Sequence, residues 1–263
     1  MPSFSNVLKD ACYAAGEILV TQQGHAEVKR KGERDLVTSA DFAAQKAAWR
    51  IIQEAFPDHR LLAEENITDP GFNPGPIDSD CRWILDPLDG TINYVHGSPH
   101  FCVSLAFEQK GELLLSGIYA PRYNEFFTAV VGSGSRIGFD ELKCSKTQVP
   151  LDALGAFGFP FDPEDNTPDF RAFVKAKKEF QALRRTGSIA LNLAYVAAGR
   201  FDAFWTFAAS PWDVAAGALL VQESGGTLTG PQGDPFDVDR AHLVCAGTPE
   251  LHREILKMFG GRP

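Results

Sequence analysis

Trp83-Ile84-Leu85-Asp86-Pro87-Leu88-Asp89-Gly90-Thr91 is the densest cluster of chemistry-bearing residues in the chain. The apolar run Cys81–Leu85 reads as a strand that delivers Asp86 to its end. Pro87 presets a turn, and Gly90 lets the backbone bend tightly. Two carboxylates three residues apart across such a turn can converge on one point. A hard cation such as Mg²⁺ takes several oxygens at short range, carbonyls included. Asp86, Asp89 and the carbonyl of Leu88 could supply them. The chain after Gly90-Thr91 could also turn free amides toward an anion, as a helix start does. An Asp-rich surface turn is the alternative, and the string alone does not choose.

On the N-terminal side, Phe4, Val7, Leu8, Ala11, Ala15, Ile18 and Leu19 recur at helical spacing, which predicts a helix over residues 3–22. Residues 23–37 are polar and read as a loop or short hairpin. A second helix is expected from about Ser39 to Phe56, stopped by Pro57. Leu61–Ala63 reads as a short strand and residues 66–80 as an exposed loop. On the C-terminal side, Phe101–Gln109 and Glu112–Tyr119 flank Lys110-Gly111 as a hairpin, with Glu125–Val131 next. The first half therefore reads as helices on a mostly antiparallel sheet. Beyond about residue 150 the elements alternate: a strand over Ala153–Phe159, a helix over Pro168–Phe180, and a helix opening at Gly187-Ser188. A strand over Phe201–Trp205, a helix over Pro211–Glu223, short strands and a last helix from Pro249 complete an α/β pattern. A soft boundary falls near 133–150.

Other residues carry two readings each. Glu64-Glu65 follows a short strand, a place where sheet proteins hold ligands, although most acidic pairs are solvated surface. Asp213, in Pro211-Trp212-Asp213, opens a helix and suits its dipole, yet is also rigidly aimed. Asp41 stands in the first turn of the second helix, with dipole compensation as its plain role. Gly187-Ser188 is either a cap or a contact for a polar ligand. His96 and His100, near the turn, receive no catalytic role.

Composition excludes several classes. With 44% hydrophobic residues and 20 Phe, the 263-residue chain has ample material for a core, so disorder is not expected. No apolar stretch reaches the ~20 residues of a membrane span, and the N-terminus has neither a cationic head nor a long apolar block. With 34 acidic against 25 basic residues, a net charge of -9 and no Lys/Arg block, nucleic acid is not an expected partner. Five scattered cysteines without CxxC spacing fit reduced thiols in the cytoplasm rather than disulfides or zinc.

Four strings together resemble the inositol monophosphatase family of magnesium-dependent, lithium-sensitive phosphomonoesterases. They are DLVTSAD (35–41), Ala63-Glu64-Glu65, WILDPLDGTINYVHG (83–97), and GSIALNLAYVAAGRFDAFW (187–205) with PWDVAAGALLVQESGG (211–226). They occur in the family's order and spacing. The resemblance implies an α+β or α/β layered sandwich, the αβαβα arrangement of sugar phosphatases. Residues 1–145 would form an N-terminal metal-binding half, and residues 146–263 a C-terminal half completing the site. It implies two to three Mg²⁺ ions. Glu64, Asp86 and the Leu88 carbonyl would hold the first, and Asp86, Asp89 and Asp213 the second. A third, weaker ion would lean on Glu64, with Glu65 in a supporting position. Thr91, backed by Asp41, would orient the attacking water, with Glu64 also counted as catalytic. Asp89, Gly90, Thr91, Gly187 and Ser188 would contact the substrate. A cation lowers the pKa of coordinated water and lets an acidic pocket accept phosphate.

The expected activity is hydrolysis of a small phosphorylated metabolite, inositol 1-phosphate first, by in-line displacement in a cytoplasmic homodimer. Alternatives on the same site are 3′-phosphoadenosine 5′-phosphate, fructose 1,6-bisphosphate and histidinol phosphate. A regulatory interaction protein is the alternative of another class, since some bacterial relatives also bind the transcription machinery. Ile92 replaces a family Thr, Thr206 stands where inositol-cleaving members place a Glu, and Phe139-Asp140 replaces an Asn-Gly turn. The family's basic loop residue corresponds to Arg30 or Lys31.

Overall fold

This computed structural model describes residues 3–159 and 167–260. The helices α1 (Phe4–Gln22) and α2 (Ser39–Ala55) are joined through the hairpin β1 (Val28–Arg30) and β2 (Leu36–Thr38). The Thr38 hydroxyl accepts from the Ala40 amide at 3.1 Å, and the Asp41 carboxylate accepts from the Thr38 amide at 2.9 Å. This reciprocal capping box fixes where α2 begins.

Seven strands follow in spatial order: β3 (Arg60–Ala63), β4 (Cys81–Asp89), β5 (Cys102–Gln109), β6 (Glu112–Ala120), β7 (Glu125–Val130), β8 (Gly134–Ile137) and β9 (Asp140–Glu141). A single helical turn, α3 (Thr91–Val95), links β4 to β5. Only β3 and β4 run parallel; the remaining pairs are antiparallel. The two-residue period of a strand divides β4 and β5 between two cores. Trp83, Leu85, Val103, Leu105 and Phe107 pack with α1 and α2, while Ile84, Cys102 and Ala106 face the opposite way. A central strand buried on both sides needs this nearly unbroken apolar run.

The rest of the chain supplies β10 (Leu154–Phe157), α4 (Pro168–Glu179), β11 (Ala182–Arg184), α5 (Ile189–Ala197), β12 (Ala203–Thr206), α6 (Pro211–Glu223), β13 (Thr227–Thr229), β14 (Leu243–Ala246) and α7 (Pro249–Phe259). The second sheet has the order β11-β10-β12-β14-β13, with β10 parallel to β11 and β12, and β14 antiparallel to its neighbours. Between the sheets lie α5 and α6, packed against Ile118 and Phe127 of the first and Phe204 and Cys245 of the second. The far face of the second sheet is covered by α4 and α7. The layers thus run α1/α2, sheet, α5/α6, sheet, α4/α7, the αβαβα sandwich expected from the sequence. None of the described helices is long and apolar enough to cross a membrane.

Some elements differ from the sequence reading. The strand expected over Cys81–Leu85 continues to Asp89, because β5 keeps pairing through the turn residues. The segment read as a soft boundary holds β8 and β9, whose tip presents Phe139 at 98% exposure. The short β11 is defined by its partner β10 rather than by a local pattern, so periodicity missed it.

An aromatic group at one end of the first core contains a proton-sensitive member. The Trp83 indole donates to His59 Nδ1 at 3.0 Å, and His59 stacks on Phe56 with ring centres 4.8 Å apart. A protonated ring has no acceptor nitrogen, so this bond requires neutral His59. Burial pushes the His59 pKa below its ordinary 6.5, with nearby Asp58 opposing the shift. A depressed folded value gives stability that is present above that unfolded value and lost as pH falls below it. The thermal midpoint is expected to drop between about pH 7 and pH 5. The drop should be smaller in His59→Asn, whose amide oxygen occupies the Nδ1 position and accepts from Trp83 without titrating. Equal drops in both proteins would remove His59 as a source.

Candidate active site

The parallel pairing of β3 with β4 brings two distant carboxylates together. Ala63 lies opposite Leu85, and the Glu64 amide donates to the Leu85 carbonyl at 3.3 Å, so Glu64 emerges beside Asp86. Across β4 and β5, Asp86 pairs with Ser104 and Asp89 with Cys102. Three residues on one strand therefore span two on the other, a β-bulge. Without the extra residue, positions three apart would face opposite sides of the sheet. With it, Asp86 and Asp89 both turn toward the α5/α6 layer. The Leu88 amide donates to Asp86 Oδ1 at 2.9 Å, tightening the bend. Gly90 takes φ +96°, and a Cβ there would lie 2.9 Å from the His100 carbonyl, so the turn excludes other residues.

From the other side come the starts of two helices. Asp89 Oδ2 accepts from the Ser188 hydroxyl at 2.5 Å and from the Ala190 amide at 2.7 Å, and Oδ1 accepts from the Ile189 amide at 3.2 Å. A carboxylate at a helix N-terminus is favoured by the dipole as well as by these bonds. Asp213, at the third position of α6, accepts from the Ser210 amide at 2.7 Å. The electrostatics show that the four carboxylates are neighbours. Burial raises the Asp86 pKa well above the usual range, and then Glu64, Asp89 and Asp213 raise it further. Burial first, then Asp89, pushes Asp213 up to about 8, and burial takes Asp89 to about 6 against the Ser188 hydrogen bond.

A second group stands beside them. Lys31 Nζ donates to Glu64 Oε1 at 2.9 Å and to Glu65 Oε1 at 2.5 Å. Glu65 is locked by Gln45, whose amide donates to the Glu65 carbonyl at 2.7 Å and accepts from its amide at 3.1 Å. Burial takes Glu65 up to about 7, and Asp41 up to about 6. Asp41 Oδ2 is held by Thr38, whereas its buried Oδ1 has no hydrogen-bond partner. The Thr91 hydroxyl donates to the Leu88 carbonyl at 3.1 Å. Among the described residues, no three His, Cys, Asp or Glu side chains share a focus that could hold an ion in this arrangement. Asp89 is instead turned to α5 and Glu64 to Lys31. The donor set nonetheless fits a hard divalent cation: it is all oxygen and mutually repelling, with Asp86 and Asp89 buried, Glu64 and Asp213 half-buried, and a partnerless carboxylate oxygen nearby.

Two residues escaped the sequence reading. Asn93 Nδ2 donates to the His100 carbonyl at 2.7 Å and to the Thr186 carbonyl at 2.9 Å. It thereby ties α3 to the residues before Gly187. Gly187 has φ +86°, and a Cβ there would sit 2.9 Å from Asn93 Nδ2. Cys102 Sγ lies 3.7 Å from Asp89 Oδ2, in a fully buried position. A conspicuous Asn after Gly-Thr was the available signal for the first; nothing local marks the second. Thr206 is buried at the end of β12.

A family model described as the inositol monophosphatase family matches residues 2–261. The Nus factor SuhB of Pseudomonas aeruginosa is 37% identical, covering 94% of this chain and 93% of that protein. The inositol-1-monophosphatase of Caulobacter vibrioides is 36% identical, covering 88% of this chain and 90% of that one. Among solved structures, the extragenic suppressor protein suhB of Bartonella henselae superposes with a TM-score of 0.89 at 35% identity, covering 97% of both chains.

Proposed function

This chain belongs to the inositol monophosphatase family, and from that premise we propose that it hydrolyses a small phosphate monoester with the help of two to three Mg²⁺ ions. The observation that carries the reading is the cluster of Glu64, Asp86, Asp89 and Asp213, in which burial and the neighbouring negative charges raise the proton affinity of the three aspartates. In this reading Glu64, Asp86 and the Leu88 carbonyl hold one ion, and Asp86, Asp89 and Asp213 another, with Glu65 supporting Glu64. The bound ions supply positive charge for the phosphate and lower the pKa of water.

The chain's own groups do the positioning. Gly90 and Thr91 offer backbone amides at the start of α3 to a phosphate oxygen. The Thr91 hydroxyl, with Asp41 in support, orients the attacking water. Ser188 and Gly187, with Asn93 bracing the residue before them, would contact the alcohol part of the substrate in this reading. Most of the ligands come from residues 1–145, and residues 146–263 complete the site. Inositol 1-phosphate is the first substrate to test, in a cytoplasmic, lithium-sensitive homodimer. Thr206, in place of a carboxylate, weakens polyol recognition relative to an acidic side chain.

A phosphate-release panel with Mg²⁺ tests the reading. It should include inositol 1-phosphate, 3′-phosphoadenosine 5′-phosphate, fructose 1,6-bisphosphate and histidinol phosphate. Turnover of at least one, abolished by EDTA, is expected. Full activity in EDTA would overturn it.

Lys31 gives a further expectation. It is the cation placed against Glu64 and Glu65, and the Glu65 side chain is only 2% exposed. Lys31→Met should destabilise the metal-free protein by about 1–3 kcal/mol, because a buried carboxylate loses its partner. It should also tighten Mg²⁺ binding, because no ammonium competes for Glu64. Thermal unfolding in EDTA and calorimetric Mg²⁺ titration measure both. Unchanged values would place Lys31 outside the site.

A second reading follows from the relatives named Nus factor SuhB: the chain works chiefly as an interaction protein. A stoichiometric partner in a pull-down, together with negligible turnover across the panel, would favour it.

A further inference from the structure

We propose that the cavity between α4, α7 and the 230–242 loop is a second binding site, for a small organic anion that carries a flat ring. Its volume of about 490 Å³ suits a ligand the size of a nucleoside monophosphate. It lies apart from the carboxylate cluster. Phe207 and Phe259, which line it, pack with Trp205 on the α4/α7 side of the second sheet. Phe204, one residue earlier along β12, faces α5 and α6 on the other side. The alternation of β12 therefore puts the whole sheet between the cavity and the proposed active site.

The lining combines an apolar floor with a basic rim. Phe207 and Phe259 meet edge to face with ring centres 5.8 Å apart, offering ring surface to a flat ligand. Lys175 and Arg240 stand at the rim of a chain whose net charge is -9. Lys175 Nζ has three donors and uses one on the Met258 carbonyl at 3.0 Å, which aims the group. Asp237 Oδ2 lies 3.5 Å from Arg240 Nε, an exposed ion pair that holds the guanidinium at the rim, and the acidic lining residues otherwise bond within their own loop. Asp234 Oδ1 accepts from the Gln232 amide at 3.3 Å, and Asp237 Oδ1 accepts from the Asp239 amide at 2.9 Å.

The loop is also built to stay in place. The Gly230 amide donates to the Asp234 carbonyl at 2.8 Å, and the Ala241 amide donates to the Asp237 carbonyl at 3.1 Å. Arg82 of β4, itself buried and paired with Glu108, reaches out to Asp239 at 2.8 Å. A preformed wall lowers the ordering cost of binding, so a modest number of contacts suffices.

The test uses adenosine 5′-monophosphate as probe, titrated calorimetrically into the full chain in EDTA, which keeps the proposed active site from contributing. Saturable binding at concentrations up to about 1 mM is expected for the wild type and for Asp213→Asn. The double variant Lys175→Glu/Arg240→Glu should bind about tenfold or more weakly. Lys177→Glu/Lys178→Glu makes the same charge change elsewhere on α4 and should bind like the wild type. Adenosine without phosphate should bind more weakly than the monophosphate. Absence of saturation, equal losses in both double variants, or an equal affinity for adenosine would each overturn the proposal. Phosphate release by Lys175→Glu/Arg240→Glu is expected to match the wild type, so this result and the phosphatase reading stand or fall separately.

Discussion

Asp213→Asn is expected to reduce Mg²⁺-dependent phosphate release by at least on the order of 10²–10³-fold while leaving the fold intact. The fold survives because the amide oxygen of Asn can still accept from the Ser210 amide, a bond that spans 2.7 Å in the native protein. What disappears is one negative charge. Burial and the charge of Asp89 push the native Asp213 pKa up to about 8, so the carboxylate is held there at a cost. Above about pH 8, where the metal-free carboxylate is ionised, removing that charge relieves repulsion on Asp86 and Asp89, and the variant should melt higher than the wild type in EDTA. In the wild type, Mg²⁺ should raise the midpoint instead, since a ligand that binds the folded state stabilises it. The variant should lose much of that gain. Turnover within a few-fold of the wild type would take Asp213 out of the site, and the proposed second ion with it. This pairing of lost activity with gained metal-free stability separates a charge role from a merely structural one. A plain helix-capping residue would give the reverse.

Gly217→Val is expected to destabilise the protein by about 3 kcal/mol or more, the upper range for overpacking a core. Gly217 lies in α6 where it crosses α5. A Cβ at this position would stand 2.4 Å from Leu193 Cβ and 2.5 Å from its Cδ1. These helices form the central layer, with a sheet on either side, so neither can retreat without opening a second contact. The branched side chain also loses rotamer freedom in a helix. Because α5 begins at the Ser188 that holds Asp89, and α6 carries Asp213 in its first turn, a wedge between them should reduce activity too. Urea unfolding measures the first effect, and phosphate release at a temperature where the variant is still folded measures the second. A midpoint equal to the wild type would contradict the close α5/α6 contact.

Reading the chain alone worked where the information was local. The capping boxes are spelled out within four residues, in Thr38-Ser39-Ala40-Asp41 and Ser210-Pro211-Trp212-Asp213, because the bonding partners are that close in sequence. Gly90 was legible as glycine because its positive φ belongs to its own turn. The apolar run Cys81–Leu85 pointed to a strand. It did not say how far pairing would continue, which is why β4 runs four residues beyond Leu85. Lys31 and Asn93 were harder. Lys31 acts on residues 33 and 34 positions away, and Asn93 on Thr186, 93 positions away.

The sequence by itself determined the helices, the longer strands, their caps and turns, and the chemistry of the donor set, since each depends on backbone preferences and side-chain types within a few residues. Only the tertiary structure decided which donors meet. Glu64 emerges beside Asp86 because β3 and β4 pair in parallel. Asp86 and Asp89 face one way because a bulge adds a residue. Asp89 finds Ser188 because two sheets clasp the α5/α6 layer. Those placements come from burying apolar faces across long separations in the chain, and no short window of sequence records them.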